Sequence, residues 1–382
     1  MKKALSAIMA CLLLTCFISC DASEQEETVT DNVTTEAQKE DVSKNEENEE
    51  KEEKETEIKD LTPITYPLNH RTWGVKVLGV RCLESDTQIN CDWTCSGIEM
   101  NIDHFGGDIV FSVGASAGCY FKAFIDGEVF KSPTAYYTVE SEKAQIKLRN
   151  VPEGKHTLRL IKVTGYTLSR AQIYSVTFAG NILEQALEEN TLHIEYIGDS
   201  ISCGWGTIGG HGGAFTDQDG TYAYPYLVSE ALGADYSVTA LSGQGLLVGN
   251  PGIPNGYLYG SALRSTQNKY TFARKADVVV INIGTNDYSQ KRDSKDAFRE
   301  AYKNLLETVK AKNGADCKIV CIYNTMNDTF ADVIKELCNG KQNEGIYLLE
   351  FNRANGGQHP TISEHKGYTN VLVDYLKNTV LK

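Results

Sequence analysis

The stretch Ile194-Glu195-Tyr196-Ile197-Gly198-Asp199-Ser200-Ile201 decides how this chain folds and what chemistry it can carry. Residues 193–197 are an apolar run of strand length, closed by a glycine and an aspartate, and Ser200 stands at the mouth of that strand. Runs of the same kind recur at 236–240, 278–283, 319–323 and 346–351, with helical patterning between them. The clearest helix starts near Ser294, a candidate cap, and places Phe298, Ala301, Tyr302, Leu305 and Val309 on one face before Gly314 ends it. Strands alternating with helices predict a parallel sheet with right-handed crossovers, whose ligands bind beyond the carboxyl ends of the strands.

A serine hydroxyl is inert at neutral pH until a base takes its proton and donors hold the oxyanion that its attack creates. Later segments supply candidates for both, each just past a predicted strand. In Leu241-Ser242-Gly243-Gln244-Gly245 the Gly243 amide, and in Ile283-Gly284-Thr285-Asn286-Asp287 the Asn286 side chain, can join the Ser200 amide as oxyanion donors. In Gln358-His359-Pro360-Thr361, His359 is the candidate base. Gly245 is an alternative to Gly243, while His365 reads as a helix residue supporting the site and His211 as a solvated loop histidine. The Asp199 carboxylate, next to Ser200, is expected on local backbone. Gly249 falls one residue late for a nucleotide-binding Gly-x-Gly-x-x-Gly loop, and the Gly-x-Ser-x-Gly elbow is absent around Ser200.

Gly198-Asp199-Ser200, Gly284-Thr285-Asn286-Asp287 and His359-Pro360, in this order, resemble the SGNH hydrolase superfamily, in which Ser200, Gly243, Asn286 and His359 take the four named roles. That superfamily places an aspartate three residues before the histidine; here the position is Gly356. Carbohydrate esterase family 2 tolerates such a Ser–His dyad and carries a small β-domain before its SGNH domain, which Cys91-Asp92-Trp93-Thr94-Cys95-Ser96-Gly97-Ile98-Glu99 resembles. The resemblance implies an α/β chain: an SGNH-type three-layer α/β/α hydrolase domain preceded by an all-β jelly-roll domain. It also implies removal of O-acetyl groups from plant polysaccharides such as acetylated xylan or glucomannan, through an acetyl-Ser200 intermediate and without metal or organic cofactor. With no carboxylate at 356, a main-chain carbonyl is the candidate acceptor of the His359 Nδ1 proton. Trp205, Tyr222 and Tyr288, together with Tyr224 and Tyr257, lie near the motif loops and are candidates for an aromatic rim against a sugar ring, structural packing being the alternative. A lipase or thioesterase, and a non-catalytic surface glycan-binding lipoprotein, stay open as other functions.

The region before residue 190 lacks helical period. Alternation at Val75 and Val77 and runs at 109–113, 120–125, 146–148, 156–163 and 173–178 predict a sandwich spanning 63–185, followed by the hydrolase domain at 190–382. Asp126-Gly127 between two of these runs signals a tight hairpin. Trp73, Trp93, Tyr120, Tyr136 and Tyr137 can pack a core or stack on sugars. Cys91-x-x-x-Cys95 has no matching Cys/His pair downstream and reads as strand packing or a disulfide end, and Cys317 and Cys321 as core thiols.

Met1-Lys2-Lys3 followed by the apolar run 4–17 reads as a secretory signal, and Ile18-Ser19-Cys20 resembles a lipoprotein processing site with Cys20 as the lipidated residue. This predicts residues 1–20 as a lipoprotein-type signal, a membrane partner through a lipid anchor, and an extracytoplasmic location. Residues 21–62 read as an acidic disordered tether, since 21–60 hold 17 Asp and Glu against 5 Lys and so carry 12 of the chain's 14 net negative charges. The remainder is nearly balanced in charge and has no Lys/Arg cluster interleaved with aromatics, which speaks against nucleic acid as a partner.

Overall fold

A computed structural model describes residues 59–79, 81–166, 169–183, 192–209, 214–249, 257–260, 269–291 and 294–382. The expected signal segment with Cys20, residues 21–58 of the expected tether, and His211 lie outside these residues. Strands β1 (Ile64–Pro67), β2 (Val75–Leu78), β3 (Ile89–Cys91), β4 (Ser96–His104), β5 (Gly107–Ala115) and β6 (Cys119–Ile125) come first. They are followed by β7 (Glu128–Val129), β8 (Tyr137–Val139), β9 (Ala144–Val151), β10 (Gly154–Lys162), β11 (Ala171–Phe178) and β12 (Gly180–Ile182). One sheet runs β1-β11-β5-β9 with β3 beside β11, and its partner runs β12-β4-β10-β6-β7 with β2 on β4 and β8 on β6. This is the expected jelly roll. Asp126 and Gly127 both take positive φ, 52° and 84°, between β6 and β7, as a two-residue hairpin turn demands.

Period-two alternation sorts each strand between two environments. In β6, Cys119, Phe121 and Ala123 enter the core between the two sheets, whereas Phe124 points out of the sandwich into a second core. In β10, Leu158 and Leu160 face inward and Ile161 outward. That second core belongs jointly to the jelly roll and to the C-terminal half of the chain, because Phe124, Ile161 and Val163 share it with Tyr226 and Val228.

Strands β13 (His193–Gly198), β14 (Asp235–Ala240), β15 (Val278–Asn282), β16 (Lys318–Tyr323) and β17 (Ile346–Glu350) form a parallel sheet in the order β14-β13-β15-β16-β17. Val278, Val280, Val320 and Ile322 face helices α1 (Tyr224–Leu232) and α5 (Ile362–Tyr375). Val279, Ile281, Ile319 and Cys321 face α3 (Lys295–Asn313) and α4 (Ala331–Cys338), and a short α2 (Thr285–Lys291) follows β15. The result is the expected three-layer α/β/α arrangement. After β13 the chain moves to β14 on one side and then crosses to β15 on the other, so the order reverses at β13, and Ser200 follows that strand. Ser294 does precede α3, but its hydroxyl makes no capping hydrogen bond. The eight cysteines among the described residues are free thiols; Cys82 is half-buried and the other seven, Cys317 and Cys321 included, are buried. No helix of the described residues is long and apolar enough to cross a membrane.

Residues 57–382 are one compact unit, and buried charges tie its two halves together. Arg81, just past β2, is 1 % exposed and pairs with Glu195, in the middle of β13, which is 2 % exposed. The guanidinium also donates to the Tyr257 carbonyl at 2.6 Å and lies over the Tyr257, Tyr270 and Phe272 rings. Glu195 further accepts from the Tyr257 hydroxyl and from Ser237 Oγ. Removing one partner of a buried pair leaves an uncompensated charge, so Arg81→Met should lose about 3–5 kcal/mol of unfolding free energy in chemical denaturation. A loss under ~1 kcal/mol would show that Glu195 finds another partner.

Candidate active site

The Ser200 hydroxyl lies 2.8 Å from His359 Nε2, a hydrogen bond between residues 159 apart in sequence. Ser200 is buried and His359 half-buried. Two devices fix the serine. Asp199 Oδ1 accepts from the Ile201 amide at 3.0 Å, closing a tight turn, and the Ser200 carbonyl accepts from the Trp205 amide at 3.0 Å. The histidine is fixed by the helix beyond it. Thr361 caps α5 in a reciprocal box, its hydroxyl accepting from the Glu364 amide while Glu364 accepts from the Thr361 amide. Gly356, the position expected to hold an aspartate, has φ 68°, a left-handed conformation suited to glycine, and is exposed.

The two oxyanion candidates are organised by a pair of buried carboxylates. Asp287 accepts from the Leu246 and Leu247 amides at 2.8 and 2.7 Å, holding the loop that follows Gly243. Gly245 packs directly on that carboxylate, where an added Cβ would stand 2.4 Å from Oδ2, so its reason for being glycine is packing. Gly243 has φ 79° and open space around it, and lies on the exposed side of the loop. Asn286 Nδ2 donates to the Gln244 carbonyl at 2.8 Å and, more weakly, to Asp199 Oδ2 at 3.3 Å. Asp199 therefore does more than close its own turn, since it also meets Asn286. Burial pushes its carboxyl up to about 7, the neighbouring Asp287 charge adding to the rise, and burial raises Asp287 itself.

Of the aromatic candidates, the Trp205 ring stands 6.3 Å from the His359 ring, centroid to centroid. Tyr222 and Tyr288 are half-buried, and Tyr222 lies under the Lys122 ammonium. Tyr224 and Tyr257 are fully buried and belong to the core, which corrects the expectation that they reach the rim. Trp93 and Tyr137 are buried too, whereas Trp73 is 54 % exposed. His365 is buried, stacks on Tyr224 and accepts from the Tyr224 amide at 3.3 Å; burial drives it down to about 3, so it is a neutral packing residue between α5 and α1. Among the described residues no group of three or more His, Cys, Asp or Glu is placed to hold a metal ion. Sequence reasoning gave Asp287 no role, although its place beside Asn286 in Gly-Thr-Asn-Asp was the available signal.

Residues 196–354 match the GDSL-like Lipase/Acylhydrolase family. The chain is 29 % identical over 310 residues to a cellulase/esterase, CelE, of Acetivibrio thermocellus, covering 75 % of this chain and 37 % of that protein. To an acetylxylan esterase / glucomannan deacetylase of Cellvibrio japonicus it is 22 % identical over 261 residues, covering 62 % of this chain and 72 % of the other. A family two carbohydrate esterase from Clostridium thermocellum, solved in complex with cellohexaose, superposes with a TM-score of 0.73 at 28 % identity, over 80 % of this chain and 98 % of that one. The chain thus spans just over a third of the length of the first curated relative it matches.

The raised Asp199 carboxyl has a consequence for stability. Between about pH 4 and pH 7 the folded state holds a proton that the unfolded chain has released, so this group makes stability fall as pH rises through that window. Asp199→Asn keeps an oxygen for the Ile201 amide and should flatten the decline, by an amount on the order of a few kcal/mol across the window. Superimposable pH–stability curves for the two proteins would mean that Asp199 ionises as an ordinary carboxylate.

Proposed function

We infer that this chain, whose residues 196–354 match the GDSL-like Lipase/Acylhydrolase family, is a serine esterase that removes O-acetyl groups from plant cell-wall polysaccharides such as acetylated xylan or glucomannan. The observation that carries this reading is the Ser200 hydroxyl held 2.8 Å from His359 Nε2 at the strand-order reversal. The names of two relatives, an acetylxylan esterase / glucomannan deacetylase and a carbohydrate esterase holding cellohexaose, support the substrate class.

His359 takes the Ser200 proton as Oγ attacks the acetyl carbonyl, and returns it to the departing sugar hydroxyl. It then activates water against the acetyl-Ser200 ester. The Ser200 and Gly243 amides and the Asn286 side chain hold the oxyanion in both halves. Asn286 Nδ2 is held at 2.8 Å by the Gln244 carbonyl and more weakly, at 3.3 Å, by Asp199 Oδ2. The pair works as a dyad, with a main-chain carbonyl taking the Nδ1 proton. Trp205, Tyr222 and Tyr288 form the wall against the sugar. A second reading, a glycan-binding protein without turnover, draws on the glycine at 356.

We assign residues 63–185 and 190–382 as the two domains, residues 1–20 as a lipoprotein signal, Cys20 as a lipid anchor and 21–62 as a tether that carries the enzyme outside the cytoplasm. The basic, apolar and Ser-Cys pattern of the first twenty residues supports that assignment.

Acetate release from acetylated xylan and glucomannan decides between the two readings. Wild type should release acetate, Ser200→Ala and His359→Ala should not, and Asn286→Ala should turn over roughly a hundredfold more slowly. Glycan retention by wild type with no acetate released would establish the binding reading instead. In a Gram-negative or Gram-positive expression host, wild type should partition with membranes and take up labelled fatty acid, and Cys20→Ala should do neither; equal labelling of both would refute the anchor.

A further inference from the structure

The face that the jelly roll turns toward the hydrolase carries a charge at its centre. In β6 the inward positions are Cys119, Phe121 and Ala123, so Lys122 points outward with Tyr120 and Phe124, toward the other domain. Lys122 is 2 % exposed. A buried ammonium costs several kcal/mol unless it is paired and hydrogen-bonded, so its partners are fixed in place by it. Its Nζ donates to Asp219 Oδ2 and to Thr221 Oγ1, both at 2.9 Å, and stands 4.3 Å above the Tyr222 ring. The Tyr136 hydroxyl, also from the jelly roll, donates to the same Asp219 oxygen at 2.8 Å.

From Asp219, which is fully buried, short contacts run to the segment that carries Trp205. Its amide donates to Thr207 Oγ1 at 3.0 Å, and the Thr207 hydroxyl donates to the Gly204 carbonyl at 2.8 Å. Gly204 lies against the Asp219 main chain so closely that a Cβ would stand 2.7 Å from the Asp219 carbonyl oxygen. Trp205 sits between these two anchor points, its ring beside His359. The segment 204–207 is therefore clamped from the far side by an aspartate whose charge is met by the other domain.

We propose that Lys122 is a positioning residue for the active site: through Asp219 and Thr207, the jelly roll sets the placement of the Trp205 wall and so the affinity for the saccharide. The inference rests on the deacetylase reading for its kinetic consequence but not for its structural one. Lys122→Met removes the cation and keeps much of the bulk. If the clamp is real, Asp219 loses its partner, Trp205 moves, and the penalty falls on KM rather than on kcat, because Lys122 touches neither Ser200 nor His359.

The test uses the full chain labelled with fluorotryptophan, whose three indoles, Trp73, Trp93 and Trp205, are assigned by Phe substitution. In Lys122→Met the Trp205 resonance should shift or broaden while that of Trp73, on the jelly roll, stays in place. With acetylated oligosaccharides KM should rise ~tenfold or more and kcat change far less, as expected when substrate placement and not the chemical step is damaged. Tyr136→Phe, which deletes one hydrogen bond to Asp219 and leaves Lys122, should give the same pattern more weakly and serves if Lys122→Met does not fold. An unmoved Trp205 resonance in a folded variant would overturn the proposal, as would an unchanged KM. Should the wild type release no acetate, the deacetylase reading falls, and the fluorine spectrum still decides whether Lys122 positions Trp205.

Discussion

A carboxylate in the middle of a buried parallel strand is the constraint around which the molecule is arranged. Glu195 has Ser237 of β14 beside it in register, and its face of the sheet is covered by α3. A charge there is stable only when met by an opposite charge and saturated with hydrogen bonds. The cation comes from Arg81, which lies before the sandwich is half built, and the remaining lone pairs are taken by Tyr257 and Ser237. Because strand β13 also delivers Ser200, the strand that presents the nucleophile is completed by a residue of the other domain. The jelly roll is thus part of the C-terminal domain's interior. The apolar seam of Phe124, Ile161 and Val163 against α1 says the same in hydrophobic terms.

The site obeys a related rule at shorter range. Two acidic side chains, Asp199 and Asp287, face backbone amides and not solvent, and each organises a loop from within. Such carboxylates give up hydration for fixed N–H partners, which makes the loops stiff where flexibility would scatter the candidate oxyanion donors. Asn286 sits between the two. Its amide is oriented by the Gln244 carbonyl on one side and by Asp199 on the other, which links the turn carrying the nucleophile to the loop carrying Gly243.

The sheet, its helices and the serine–histidine pair were legible in the sequence because each rests on local signals: apolar runs of strand length, a helical stripe, and short motifs at strand ends. Periodicity also separated inward from outward positions in the sandwich. It could not say what the outward positions meet. No sequence signal marked Lys122, Arg159 or Arg81, yet Arg159 bridges Glu99 and Glu230 across the junction, and Lys122 and Arg81 are sealed inside it. Tyr224 and Tyr257 failed in the other direction. Aromatic residues near a motif can line a cleft or support its floor, and only the tertiary packing of α5 on α1 places Tyr224 beneath the site. The glycine at 356 was visible as a departure, while its left-handed backbone was not.

The separation of Ser200 from His359 governs when the two can meet during synthesis of the chain. At a ribosomal rate of ~5–20 residues per second, the 159 residues between them take roughly 8–30 seconds to make. Through that interval β13 and its serine can emerge and begin to pair, but His359, the imidazole 2.8 Å from the hydroxyl in the folded chain, has yet to be made. His359 is brought to the serine only when the capped helix α5 docks against α1. The nascent chain therefore carries a serine without its partner histidine, and chain order delays their meeting until α5 is made and docked.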